Sequence, residues 1–126
     1  MPVQAQTVES LPLIDEQKLQ AIRDLGEPDD ADGFFRDLVG VFFQRVPGLL
    51  TDIESALSRG DPIHLERSAH ALKGTAGHLG AVWMMKLAEN LETMGRQRTI
   101  QSASGLLTEL KQVYPLTRQV LETNWL

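Results

Sequence analysis

Residues 68–80 read SAHALKGTAGHLG, and the helical phase of this stretch decides the fold. At about 100° per residue, Leu65, Ser68, Leu72, Thr75, Ala76 and Leu79 lie on one side of a helix, about 140–240° around it from His70. Within about 60° of His70 lie Glu66, Arg67, Lys73, Gly74 and Gly77. The first set is a core face, so His70 points outward among charges and glycines. The helix has a sharp start in RGDP, residues 59–62. There Gly60 stops the preceding helix, Asp61 caps the next and Pro62 takes its first position. Gly80 marks its end.

The glycines need a reason. Inside a helix each is less favourable than alanine by about 1 kcal/mol, and an outward face offers no packing in return. Gly74 lies one turn after His70 and Gly77 one turn beyond Lys73. Their missing Cβ atoms open the helix surface beside the imidazole to another backbone or a bulky group. A plainer explanation, close packing of a neighbouring helix, weighs more for Gly77 than for Gly74. Lys73 stands three residues after His70, so its ammonium can fold toward the ring. A cation there disfavours the imidazolium and does little for stability. It becomes useful when a ring nitrogen carries a negatively charged substituent such as a phosphoryl group.

Outward from this helix, apolar residues recur at helical spacing from Leu13 onward and no segment alternates. A first helix is expected over residues 15–25, capped by Asp15, stopped by Gly26 and buried through Leu19, Ile22 and Leu25. GEPDDADG, residues 26–33, is a turn-rich loop. The second helix covers 33–58 with a kink near Phe43 caused by Pro47. The third covers 62–79. The fourth covers 82–94, closed by Gly95, with Val82, Met85, Ala88 and Leu91 inward. The fifth covers 100–122, kinked at Pro115, with Leu106, Leu107, Leu110, Val113, Leu116, Val120 and Leu121 inward. The fold class is all-α, an antiparallel up-down four-helix bundle with a short extra N-terminal helix. Residues 1–12 are expected to be a flexible tail or linker and residues 13–126 the bundle domain.

Composition agrees with one domain: 126 residues, 42% hydrophobic and 23% charged. With no cysteine, disulfide frameworks, thiolate nucleophiles and cysteine-based zinc sites are excluded, and the cytoplasm is the plainest compartment. No apolar run approaches the roughly 20 residues of a membrane span, and the N-terminal decapeptide lacks the features of a signal peptide. A net charge of −5 argues against nucleic acid as a partner, since that affinity rests on neutralising phosphates. No membrane contact is expected. GRQR, residues 95–98, reads as the positive end of a helix. His78 lies about 12 Å along the helix from His70, too far to share a metal or a proton. His64 reads as a rim residue, and no metal site is expected.

His70, Leu72, Lys73, Gly74, Leu79 and Gly80, in HALKGTAGHLG, resemble the signature of histidine-containing phosphotransfer (HPt) domains of phosphorelays. The helix order, the GDP helix start, the Phe-rich second helix with Pro47, and the pair Leu91 and Glu92 extend the resemblance over residues 13–121. It implies that His70 is the phosphoacceptor, whose Nε2 attacks a receiver-domain aspartyl phosphate and later yields the group to another receiver aspartate. Lys73 matches the lysine that offsets phosphate charge, and Gly74 the glycine that clears space. Glu92 matches the group that hydrogen-bonds Nδ1 and so fixes the tautomer. The implied partners are response-regulator receiver domains and a hybrid sensor histidine kinase. The implied state is a monomer with no cofactor of its own, Mg²⁺ coming from the receiver. Without a glycine-rich nucleotide loop, ATP-dependent kinase activity is not expected.

Docking is expected from Glu66, Arg67, Ala71, Gly77 and His78, with an apolar contribution from Phe35 or Phe42. His78 departs from the polar residue, often asparagine, that the family favours at this place. Alternative readings are an HPt-like interaction bundle that is never phosphorylated, a sensor-kinase dimerisation hairpin and, more remotely, a metal-binding bundle. The hairpin fits poorly, because Ala71 stands where an acidic residue would follow its histidine.

Overall fold

The computed structural model describes residues 12–26, 29 and 31–126. Its elements are α1 (Glu16–Arg23), α2 (Ala31–Arg59), α3 (Pro62–Leu79), α4 (Val82–Gln97), a 3₁₀ turn (Ile100–Ser102) and α5 (Ser104–Asn124). Along α2 to α5 each helix packs on the next, and α5 closes on α2. The short connections make neighbours antiparallel, the up-down arrangement expected from the helical phase. Leu19 anchors α1 in the core. It lies across the end where α2 begins and α3 stops, and the Asp15 amide donates to the Gly80 carbonyl at 2.8 Å. Among the described residues no helix is long and apolar enough to cross a membrane.

The helix ends follow from local chemistry. Asp15 and Asp61 each accept a backbone N–H of the first turn, from Lys18 at 3.1 Å and His64 at 3.0 Å. Gly60 and Gly80 adopt left-handed conformations, φ 63° and 81°. At each, the following amide reaches back to the helix, Asp61 to Ala56 and Ala81 to Ala76, both at 2.9 Å. The end of α4 has the same pattern at Arg98, φ 59°, a residue without glycine's freedom.

Gly95, expected to close α4, instead lies buried inside it. A Cβ there would sit 2.7 Å from the Glu66 amide nitrogen and 2.8 Å from the Pro62 carbonyl oxygen. Close approach of α3 fixes this glycine, and Arg98 takes the left-handed position.

Both proline-bearing helices stay unbroken through Pro47 and Pro115. Pro47 has no N–H for the carbonyl of Phe43, and Tyr114 Oη of α5 donates to that carbonyl at 3.4 Å.

Several inward assignments shift. Leu25 and Leu116 are exposed, and Thr117 is buried in place of Leu116, donating to the Val113 carbonyl. In α4 the buried apolar side chains are Met84, Leu87, Ala88 and Leu91, with Val82 and Met85 at their margin. A stripe counted only in threes winds around a helix; the true one alternates threes and fours. Phe35 and Phe42, expected at a docking rim, are buried in the core. The proposed N-terminal tail falls, through residue 11, outside the described residues, as do positions 27, 28 and 30 of the turn-rich loop.

Candidate functional site

The close crossing at Gly95 positions the site. Four residues beyond Glu66 on α3 stands His70, and three before Gly95 on antiparallel α4 stands Glu92. The contact that excludes a Cβ at Gly95 therefore brings a carboxylate against the imidazole. Glu92 Oε2 lies 2.7 Å from His70 Nδ1. Its other oxygen accepts from Lys73 Nζ at 2.7 Å. Arg96 Nη2 adds a longer contact of 3.3 Å to Oε2, and Arg96 Nε reaches Glu66 at 3.3 Å.

Burial separates these partners. The Glu92 side chain is 7% exposed, the His70 side chain 69%. Burial pushes the Glu92 carboxyl upward, but hydrogen bonds from Lys73 and His70 outweigh it and leave the group below its ordinary value. Glu92 is thus ionised at neutral pH and can only accept. His70 Nδ1 must carry the hydrogen, leaving the lone pair on Nε2 directed away from Glu92. Lys73, expected to fold toward the ring, is held by the carboxylate that also holds the ring. An ammonium has three donors, so Lys73 can keep Glu92 and still turn an N–H outward.

A Cβ at Gly74 would meet nothing within 4 Å, so no packing contact requires this glycine. Gly77 differs: a Cβ there would lie 3.2 Å from Met85 Sδ, in a flexible side chain of α4. Glu66, Arg67, His70 and Glu92 line one open groove with Ile63. Ala71 is half-buried, and its carbonyl accepts from Thr75 Oγ1 at 2.9 Å. His78, exposed, borders a separate small apolar hollow with Val41 and Phe42. His64 Nδ1 meets Arg59 at 3.1 Å, away from the His70 cluster. Among the described residues no three histidine, aspartate or glutamate side chains stand close enough to hold a metal ion.

Arg96 is the site residue that the sequence reading passed over, absorbed into the basic helix end of residues 95–98. Its four-residue spacing from Glu92 was the available signal.

The sequence model of the Hpt domain family matches residues 37–119. Histidine-containing phosphotransfer protein 1 of Arabidopsis thaliana is 27% identical over 108 residues, covering 84% of this chain and 68% of that protein. Multistep phosphorelay regulator 1 of Schizosaccharomyces pombe is 25% identical over 109 residues, 86% of this chain, which spans only 37% of that relative's length. The crystal structure of histidine-containing phosphotransfer protein B from Pseudomonas aeruginosa superposes with a TM-score of 0.79 at 23% identity, over 88% of this chain and 92% of that one.

Proposed function

The chain belongs to the Hpt domain family, and from that premise we propose that it is a phosphorelay intermediate carrying a phosphoryl group on His70. The observation that carries this reading is the 2.7 Å contact of Glu92 with Nδ1 of an otherwise exposed imidazole. It supplies a nucleophile of fixed tautomer on a rigid helix.

The Nε2 lone pair attacks the phosphorus of a receiver aspartyl phosphate. The N–P bond forms as the P–O bond to the aspartate breaks, and the carboxylate leaves with the electron pair. The Nδ1 hydrogen stays on the ring, so the phosphorylated imidazole is cationic and Glu92 faces that charge. In the onward step a second receiver's carboxylate attacks phosphorus and the neutral imidazole departs. Lys73 turns toward the phosphoryl oxygens, and Gly74 leaves room for them. Mg²⁺ and the acidic pocket belong to the receiver; this chain contributes positioning and charge and has no kinase activity of its own.

Partners are receiver domains, with a hybrid sensor histidine kinase as the upstream source, and the chain acts as a cytoplasmic monomer. Ala71, Gly77 and His78, with Glu66 and Arg67, face the receiver. An interaction-only bundle is not favoured, because a scaffold has no need of His70, Lys73, Gly74 and Glu92 together. Incubation with a radiolabelled phospho-receiver tests the proposal. The native chain is expected to take up an acid-labile, alkali-stable label and His70→Gln none; equal labelling of both contradicts it.

A further inference from the structure

Charge balance around His70 leaves one cation over. Two carboxylates, Glu66 and Glu92, face two cations, Lys73 and Arg96, and each of those cations is engaged: Lys73 with Glu92, Arg96 with both. Arg67, exposed and one helical turn before His70, borders the same groove of about 490 Å³ and has no ion pair among the described residues. It stands on the turn opposite to Lys73, so the two cations bracket the ring. With Nδ1 held by Glu92, Nε2 faces away from α4, toward the exposed side that Arg67 shares.

Resting on the phosphorelay reading, we propose that Arg67 is a second phosphoryl-binding residue, its guanidinium taking two oxygens of the group carried on Nε2. A phosphoryl group brings about two negative charges at neutral pH. Lys73 reaches it already compensated by Glu92, whereas Arg67 brings uncompensated charge. The planar fork of a guanidinium also matches two phosphoryl oxygens, which an ammonium cannot do as a point donor. Arg67 thus does more than face the receiver: it touches the transferred group and holds it after the receiver leaves.

Two phosphodonors separate this role from partner docking. Labelling of the native chain, Arg67→Gln and Arg67→Lys is measured with a phosphorylated receiver and with phosphoramidate, a small donor that makes no protein contact. Decay of the phosphohistidine is followed after the donor is removed. Arg67→Gln is expected to label about 10-fold more slowly with both donors, a loss of about 1.4 kcal/mol, and its phosphohistidine is expected to decay several-fold faster. Arg67→Lys is expected to recover part of each loss. Slowed transfer from the receiver, with phosphoramidate labelling and phosphohistidine lifetime unchanged, shows docking alone and overturns the proposal. If Arg67→Gln matches the native chain throughout, the proposal falls and the phosphorelay reading stands. If the native chain labels with neither donor, both fall.

Discussion

Glu92 accepts from His70, Lys73 and Arg96 while almost fully buried, so its charge matters both to chemistry and to folding. Its carboxyl titrates below the ordinary 4.5 in the folded protein. Ionised Glu92 therefore stabilises the fold at pH values above about 4.5, and this contribution is lost as the pH falls through the lower, folded-state value. Glu92→Gln keeps some hydrogen bonds but loses the charge, for an expected loss of about 1–2 kcal/mol near pH 7. That is less than the ~3–5 kcal/mol of a fully buried pair, because its cations reach water. In thermal melts the gap between native and variant should hold from pH 7 to 5 and shrink below 4.5. Gly74 gives the opposite kind of test. Since its Cβ would meet nothing within 4 Å, Gly74→Ala should stabilise the protein by about 1 kcal/mol. Gly74→Gln should keep helicity and not lower the melting temperature, while slowing phosphotransfer about 10- to 100-fold by crowding the approach to Nε2. His70, Lys73 and Gly74 were legible because they share one turn of one helix and phase alone orders them. Arg96 was not, because its meaning comes from Glu66 on another helix.

At the scale of helices, α3 and α4 meet where no side chain fits. A Cβ at Gly95 would stand within 3 Å of α3 backbone atoms, which cannot turn aside as a side chain can. Gly95→Ala is therefore expected to lose about 1–3 kcal/mol through overpacking, despite alanine's better helix propensity, as read by denaturant unfolding. It should also weaken the His70–Glu92 contact, visible as a changed imidazole tautomer signature in NMR. The sequence could not assign this role. A glycine that ends a helix and one that admits a neighbour look alike until the crossing is known, and here Arg98 performed the expected duty of Gly95. Gly60 and Gly80 were legible because Asp61–Pro62 and the end of the apolar phase named them as boundaries. The proline in α2 was legible as a perturbation, but not its remedy: the hydroxyl of Tyr114, far along the chain, reaches the Phe43 carbonyl.

For the molecule as a whole, the four-helix arrangement was readable because each helix carries one apolar stripe and the connections are short. The closure of one end was not. There the Arg23 guanidinium lies 4.9 Å from the Phe35 ring centroid and 5.0 Å from that of Trp125, and it donates to the Trp125 carbonyl. This assembly joins α1, α2 and the C-terminal residues across 102 positions of sequence, which no local pattern reports. It also explains why Phe35 is buried in the core. The rigid bundle leaves one imidazole held from behind and open in front, and the most direct test is to see where phosphorus becomes bonded. Phosphorus and nitrogen NMR of the ¹⁵N-labelled chain, phosphorylated by a receiver, should show a single phosphohistidine, at Nε2 of His70, with Nδ1 still protonated. Phosphate on Nδ1 of His70, or on His64 or His78, would contradict the role assigned to Glu92 and the central claim with it.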